Sequence, residues 1–568
     1  MSGGRVRYLT VEEVSVRYGV PVSTVRRWCA DGTLPAEKSG RQWLVREDEL
    51  PTSPPRVRTR RPTTAQSSSY DVSKALLHVT STDLRETWVP DVLDFQDVPL
   101  DDSLLSRVSQ RLNDNVVSPP TEVPIPKTPF FTRSAVLLTL EDRIAYQAVV
   151  GSFAERAEAQ TYSGVYSARL ATKPGKYFFR QKGTDAWLAF RKAVQREFEA
   201  GPEWLVKTDL TAYFDTISHD LLINEIVALN VPGRTIGLLR SMLRQWALVP
   251  GIGIPQGPNA SRLLGNLYLH PIDQAMAEAG YKYFRYLDDV YIPAKTRRET
   301  TAAIRLFERE CRLRGLLVSS SKTVPLHGKE AKEELAGETE LDAAQYLMDA
   351  DQLPKARKKL KQILKKSLHD DGRIDVRSAR FSLWRLTLLR ESSFLTPLLR
   401  RLEDLAPVAT VAMTYLRPFL MRPQVVRGLT DFLHDEERIS SPFMMVHVLA
   451  LTLDHPGPLP LDWISAVRGF ARDRNQPVYL RVVAANVLAR GMQPGDLTWL
   501  RGEISREFDP ALIRGYAVAL TRAKAFDKGT EKAMVTRAPE LAPTARYLRG
   551  RNTLPSLLFR DQTNPLGR

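Results

Sequence analysis

The chain has 568 residues, 43% of them hydrophobic and 26% charged, which is typical of a folded protein and excludes an intrinsically disordered one. A chain of this length predicts about three to four domains. Because 81 Lys and Arg outnumber 65 Asp and Glu, the net charge of +16 indicates a nucleic-acid partner, with a merely basic surface as the alternative.

The two cysteines, Cys29 and Cys311, lie far apart in the sequence. They exclude a disulfide framework and a cysteine-type zinc site, and they indicate a reducing compartment. The first residues show no cationic stretch followed by an apolar one, and no run reaches the roughly 18 apolar residues that cross a bilayer. We therefore expect a cytoplasmic protein without a membrane partner.

Residues 1–50 are predicted to form a small helix-turn-helix unit. A capping box, a first helix, a glycine-containing turn, a second short helix and a wing-like hairpin follow one another in TVEEVSVRYGVPVSTVRRWCADGTLPAEKSGRQWLVREDEL. This order resembles the MerR/excisionase type of winged helix-turn-helix. The resemblance implies that the second helix enters the major groove of DNA with Arg26 and Arg27, and a protein-docking module is the alternative.

Residues 51–75 are predicted to be a linker, because they are rich in Pro, Ser, Thr and Arg and nearly lack apolar side chains. Their arginines form either a set of phosphate contacts or a solvated charge run. The next region, 76–345, alternates apolar strands with helices and contains the acids of the predicted active site.

Three aspartates follow or join predicted strands in this region. The strand WLVKT ends immediately before Asp209, and a hairpin carries Asp288 and Asp289 at its turn. Adjacent acids repel unless a cation neutralises them, so we expect a pair of divalent metal ions held from two strands, as in nucleotidyl transfer. Oxygen ligands favour Mg²⁺, with Mn²⁺ as the alternative ion.

Three sequence motifs contain or separate these acids: DLTAYFD, IPQG followed by SRLLGNLYL, and YLDD. In this order they resemble motifs A, B and C of reverse transcriptases, and the resemblance covers most of residues 76–345. It implies a right-hand-like polymerase core with fingers, palm and thumb. It also implies an RNA-directed DNA polymerase that uses dNTPs and binds RNA and DNA.

The same resemblance implies roles for the acids and for one aromatic residue. Asp209 and Asp288 would hold both metal ions, with Asp289 as a weaker third acid. Phe214 matches the aromatic steric gate that excludes a ribose 2′-hydroxyl.

Four further residues are placed near the nucleotide by the resemblance. Gln256 and Gly257 would line the nucleotide and template. Arg169 would meet the triphosphate. Lys322 would protonate pyrophosphate, with a structural role as the alternative.

The C-terminal part of the chain is predicted to be helical. Residues 346–372 contain a basic, thumb-like amphipathic helix suited to a duplex backbone, with a solvated lysine face as the alternative. In residues 373–568, Pro442, Pro477 and Pro510 each open an apolar helix, at intervals of 35 and 33 residues. This period is typical of a HEAT-like α-solenoid.

The sequence therefore predicts a multidomain α+β protein with a small winged helix-turn-helix, a polymerase core and a C-terminal α-solenoid. A polymerase joined to helical repeats resembles the abortive-infection and defence-associated reverse transcriptases of bacteria, which implies antiphage DNA synthesis, in some members untemplated or protein-primed. Two alternatives stay open: a group II intron-like or retron-like enzyme with a non-coding RNA partner, and a DNA-binding regulator with an inactive core. A homo-oligomer is also left open.

Overall fold

A computed structural model describes residues 7–18, 22–30, 34–39, 42–50, 70–85, 88–98, 102–128, 130–170, 183–336, 339–438, 441–453, 455–555 and 557. The chain divides into two compact units, Met1–Ser69 and Tyr70–Arg568. The predicted linker lies mostly outside the described residues. Its last positions are helical, because the first helix of the second unit begins at Val72 with the side chain of Asp71 as its cap.

The first unit contains the predicted helices and wing. Its elements are β1 (Tyr8–Thr10), α1 (Val11–Tyr18), α2 (Val22–Ala30), β2 (Ala36–Ser39) and β3 (Gln42–Arg46), with the sheet order β1-β3-β2. The predicted capping box is present, since the Thr10 and Glu13 amides each donate to the other's side chain, at 2.8 and 3.2 Å. A small core that includes Val14, Val25 and Val45 joins the helices to the sheet.

The second unit begins with the elements that surround the candidate site. They are α3 (Val72–Ser81), α4 (Asp102–Asp114), β4 (Thr121–Pro126), β5 (Thr132–Leu137), α5 (Leu140–Gly151), α6 (Ala154–Gln160), α7 (Gly183–Glu199), β6 (Trp204–Thr208), β7 (Leu210–Thr211), α8 (His219–Ala228), α9 (Gly233–Trp246), α10 (Asn259–Glu278), β8 (Phe284–Tyr286), β9 (Asp289–Ala294), α11 (Arg297–Leu313), β10 (Leu317–Val318), β11 (Val324–His327) and α12 (Lys329–Ala336).

A four-stranded antiparallel sheet with the order β11-β6-β9-β8 is the centre of this region. Helix α10 is buried along most of its length, as expected for a helix packed on all sides. Strands β4 and β5 form a separate hairpin, which we call the fingers hairpin, and β7 pairs with β10.

The rest of the unit is helical. Its helices are α13 (Thr339–Asp349), α14 (Leu353–Ser367), α15 (Val376–Leu388), α16 (Leu395–Leu399), α17 (Ala409–Leu416), α18 (Pro423–His434), α19 (Pro442–Leu453), α20 (Leu461–Arg472), α21 (Val478–Leu488), α22 (Pro494–Arg506), α23 (Pro510–Arg522), α24 (Lys528–Arg537) and α25 (Ala542–Leu548). The predicted basic helix is α14, and the three prolines do start helices.

We call helices α15–α25 the C-terminal array. Within it, α19 packs on α21 and α21 packs on α23, while α18 packs on α20 and α22 on α24, so that alternate helices are neighbours. The core of the array also includes Val123, Ile125 and Ala135 of the fingers hairpin. The array and the fingers hairpin therefore share one hydrophobic core. In the described residues, no helix is both long enough and apolar enough to span a membrane.

Candidate active site

The register of two central strands brings the three predicted acids together. Thr208, the last residue of β6, pairs with Val290 near the start of β9. The residue that follows β6 is Asp209 and the first residue of β9 is Asp289, so continuing the antiparallel register places them opposite each other. Asp288 occupies the tight turn between β8 and β9, because Tyr286 pairs with Asp289.

The electrostatics of the site reflect this crowding. Burial, followed by the charges of Asp289 and Asp209, raises the pKa of Asp288 above its usual range. Burial and the charge of Asp209 raise the pKa of Asp289 to about 6. The ammonium group of Lys322 contacts the Asp209 carboxylate and opposes both shifts, and the charge of Lys207 also opposes the shift of Asp289. Three carboxylates against two lysines, of which Lys207 also pairs with Glu334, leave the site short of positive charge.

This donor set fits a divalent cation by its chemistry. The three side chains offer only carboxylate oxygens, which Mg²⁺ and Mn²⁺ accept, and a cation would relieve the repulsion that raises their pKa values. As the side chains stand, with Lys322 on Asp209, the described residues contain no preassembled group of three or more His, Cys, Asp or Glu able to hold a metal ion.

The turn that carries Asp288 is held by a network that the sequence did not reveal. Leu287 has φ +55, a left-handed conformation that is costly for a leucine. Its amide donates to the Ser167 hydroxyl at 2.8 Å. The preceding Arg285 is completely buried and donates to both oxygens of Asp273 at 2.7 Å and to the Asn266 side-chain oxygen at 2.7 Å.

This network joins three elements below the acids. Arg285 is on β8, while Asp273 and Asn266 are on α10, and the Asn266 amide donates to the Ser167 carbonyl at 2.7 Å. Asp273 and Asn266 lie seven residues apart on one helix. Two polar residues seven positions apart on one helix, together with an arginine just before the YLDD motif, were the available signals.

Phe214, which follows the first acid by five residues, lies against α10. Its ring approaches Gly265 of α10, where a Cβ atom would come within 3.5 Å of the ring. The neighbouring Tyr213 hydroxyl donates to the Gly265 carbonyl at 2.5 Å. The Phe214 carbonyl accepts from the Ile254 amide at 3.0 Å. This arrangement fixes the ring beside the motif B loop.

Gln256 and Gly257 belong to that loop, residues 253–258, which we call the nucleotide loop. The Gln256 side-chain amide donates to Asp215 at 2.6 Å, and the Gln256 carbonyl accepts from the Trp88 indole at 3.3 Å. Gly257 has φ +113, which favours glycine, and a Cβ atom there would lie 3.3 Å from the Trp88 nitrogen. Gln256 is therefore held at both ends.

The fingers hairpin places cations near this loop that the sequence analysis did not select. Burial raises the pKa of Asp215, and the charges of Arg133 and Lys127 act in the opposite direction. Burial and the charge of Arg133 lower the pKa of Arg380 on α15. These three cations create a region that favours an anion. The segment PKTPFFTR, with Lys127 and Arg133, was the signal in the sequence.

Three arginines were also predicted to be site residues: Arg169, Arg26 and Arg27. Arg169 donates to Glu158 at 2.7 Å and to the Val165 carbonyl at 2.9 Å. In the first unit, Arg26 pairs with Glu12 at 3.4 Å. Arg27 is on the same helix, and its side chain lies outside the described part of the structure.

Comparisons with known families agree with two of the predicted regions. Residues 165–361 match the family described as reverse transcriptase (RNA-dependent DNA polymerase), and residues 8–50 match a helix-turn-helix domain. The first match contains the three acids and the nucleotide loop. The predictions of a reverse transcriptase domain and of an N-terminal helix-turn-helix are confirmed, and the first match supports RNA-directed DNA polymerase activity.

Individual relatives match shorter parts of the chain. Protein YkfC of Escherichia coli (strain K12) is 29% identical over 107 residues, which are 18% of this chain and 25% of the relative. An uncharacterized 91 kDa protein in cob intron of Schizosaccharomyces pombe is 35% identical over 80 residues, or 13% of this chain and 10% of the relative. The chain thus spans a quarter or less of the length of these curated relatives.

Among solved structures, the apo telomerase from Candida Tropicalis is similar over 79% of this chain and 73% of its own, with 11% identity and a TM-score of 0.29. The telomerase from Candida albicans with the TWJ fragment of telomeric RNA is similar over 68% of each chain, with 11% identity and a TM-score of 0.27.

Proposed function

We propose that this chain is an RNA-directed DNA polymerase that extends a strand from dNTPs, with Asp209, Asp288 and Asp289 as its catalytic acids. The observation that carries the proposal is the β6–β9 register, which places Asp209 opposite Asp289 inside the segment that matches the reverse transcriptase family. Carboxylates converging from two strands are the arrangement that nucleotidyl transfer by two metal ions needs.

Asp209, which follows β6, and Asp288, in the turn between β8 and β9, would hold Mg²⁺ or Mn²⁺. Asp289 would add a weaker contact. When bound, a pair of such ions lowers the pKa of the attacking hydroxyl and stabilises the leaving pyrophosphate. Lys322, which contacts Asp209, would give a proton to the leaving pyrophosphate. The Arg285 network holds the turn that presents Asp288.

The incoming nucleotide would lie between the acids and the fingers hairpin. The charges of Lys127 and Arg133, which reach Asp215, would attract the triphosphate. Phe214, fixed against Gly265, would crowd a ribose 2′-hydroxyl and select dNTPs. Gln256 and Gly257 would contact the nucleotide and template.

Nucleic acid would be bound by other parts of the chain as well. We assign the C-terminal array as HEAT-like, because alternate helices pack on one another and three of them open at similarly spaced prolines. Lys358 and Lys365 are exposed on α14 and suit a duplex backbone. In the helix-turn-helix unit, Arg26 and Arg27 would contact DNA, once Arg26 exchanges Glu12 for a phosphate.

We propose antiphage defence in bacteria as the cellular role, with untemplated or protein-primed synthesis as its variant forms. The support is the union of a polymerase core with a helical array in one compact unit. A group II intron-like or retron-like enzyme with a non-coding RNA is the second candidate, favoured by similarity to a protein named for the cob intron. The presence of all three acids argues against a regulator with an inactive core, because closely placed carboxylates repel one another and are costly to keep without a use.

The experiment that tests the chemistry incubates the purified chain with Mg²⁺ and each labelled dNTP, with and without an RNA template. The product is then treated with nuclease or protease. The double variant Asp288→Ala/Asp289→Ala should lose incorporation, because it lacks two of the three acids. Asp370→Ala/Asp371→Ala is the matched control, since it removes an adjacent, exposed aspartate pair outside the site.

Each result has a defined meaning. Synthesis only with template indicates a conventional reverse transcriptase, and template-free label that shifts on protease treatment indicates protein priming. Undiminished incorporation by Asp288→Ala/Asp289→Ala would refute the assigned site. For the cellular role, the same double variant should abolish protection in a phage plaque assay, and preserved protection would exclude an enzymatic defence mechanism.

A further inference from the structure

A short segment connects the C-terminal array with the nucleotide loop. It comprises residues 88–98, which we call the strap, and it lies in the chain between α3 and α4. Val89, Val92 and Leu93 are buried in the core of the array, whereas Phe95 and Val98 pack against the polymerase core. The strap therefore belongs to both cores, although no sequence motif singled it out.

Its conformation is constrained locally. Asp94 and Phe95 both have positive φ, at 51 and 55, which costs free energy in residues other than glycine. The Asp91 carboxylate compensates by accepting from the Leu93 and Phe95 amides at 3.0 and 2.9 Å. A strained turn of this kind persists only where its surroundings hold it.

The array supplies that hold chiefly through Arg514, which is partly buried, and Arg522 of the same helix adds a hydrogen bond to the Val92 carbonyl at 2.9 Å. Arg514 of α23 donates to both oxygens of Asp91 at 2.7 and 2.9 Å, and to both oxygens of Asp97 at 2.7 Å. Burial would raise the pKa of Asp91, but Arg514 and the hydrogen bonds more than offset it, so that pKa is lowered. Thr544 also donates to Asp97, at 2.6 Å.

The other end of the strap reaches the candidate active site. Trp88 packs against the core of the array, and its indole N–H donates to the Gln256 carbonyl. Only two residues separate Trp88 from Asp91, so the strap gives a short covalent path from the Arg514 contact to the indole. The Gln256 side chain is independently fixed by Asp215.

We infer that Trp88 is a positioning residue through which Arg514 and the C-terminal array hold the nucleotide loop in its binding conformation. The inference rests on the proposed polymerase function for its kinetic consequence. It predicts that loosening either end of the strap weakens nucleotide binding and leaves the chemical step largely intact, because neither residue touches the acids.

The test compares three variants of the full chain. Trp88→Phe keeps an aromatic ring and removes the N–H donor. Arg514→Lys keeps the charge and removes the guanidinium that binds both oxygens of Asp91 and of Asp97. Arg481→Lys is the matched control, because Arg481 has the same position after its proline as Arg514 but donates to Tyr516 inside the array. We expect Trp88→Phe and Arg514→Lys to raise the KM for dNTP roughly threefold to tenfold with kcat little changed. Arg481→Lys should leave KM as in the wild type.

A second measurement separates this inference from the proposed function. Hydrogen exchange of the Ile254 amide, which donates to the Phe214 carbonyl, requires no activity, and it should accelerate in Trp88→Phe and Arg514→Lys and not in Arg481→Lys. If the wild type incorporates no nucleotide, the proposed function fails and the exchange data alone decide the inference. Normal KM and exchange in Arg514→Lys, or equal effects in Arg481→Lys, would overturn it.

Discussion

Replacing Arg285 by methionine tests how the catalytic turn is supported. Arg285 and Asp273 are 0% and 1% exposed as side chains, and removing one partner of such a pair leaves the other charge buried and uncompensated. That loss typically costs about 3–5 kcal/mol. We expect the free energy of unfolding of Arg285→Met, measured by urea denaturation, to fall by about 4 kcal/mol, because the Asn266 bond is lost too.

The double variant Arg285→Met/Asp273→Leu distinguishes charge burial from packing. It removes both charges, so most of the stability should return, whereas nucleotide incorporation should stay low because Asn266 and the Leu287 turn still lack the guanidinium. A loss below about 1 kcal/mol in the single variant would refute the reasoning. So would a double variant no more stable than the single one.

Two further predictions concern selectivity and pH. Phe214→Val should lower the ratio of kcat/KM for dNTP to that for rNTP by about tenfold to a hundredfold, because valine lacks the ring that packs against Gly265 and would crowd a 2′-hydroxyl. An unchanged ratio in single-nucleotide extension would remove Phe214 as the gate. Burial lowers the pKa of His447 to about 4, so stability should be full above pH 6.5 and decline as the pH falls from 6.5 toward 4. His447→Gln should remove about 2 kcal/mol of the loss between pH 7 and pH 5, as chemical denaturation at both pH values would show, and an identical decline in both proteins would contradict it.

Much of the local architecture was predictable because its signals are short in sequence. The Thr10–Glu13 capping box and the helices opening at Pro442 and Pro510 depend on neighbours within a few residues. The aspartates of the candidate site were predictable for a similar reason, since each lies next to a strand or at its first residue, within a contiguous motif.

The contacts that support the site were not predictable, because they join distant parts of the chain. Arg514 and Asp91 are 423 residues apart, and nothing near either one marks the partner. The Arg169 side chain donates to Glu158, and its motif does not mark that partner. The helical array was expected as a domain of its own, and its sharing of a core with the fingers hairpin depends on tertiary packing that periodicity does not encode.

The distance between the strap and Arg514 has a consequence for synthesis of the chain on the ribosome. At about 5–20 residues per second, Asp91 and Asp97 wait roughly 20 to 80 seconds before the arginine that pairs with them is made. During that interval the strained turn lacks its partner, and Trp88 lacks the core on which it packs. The nucleotide loop is therefore completed late in translation, so a ribosome-bound fragment ending before α23 would carry all three acids but no finished nucleotide site.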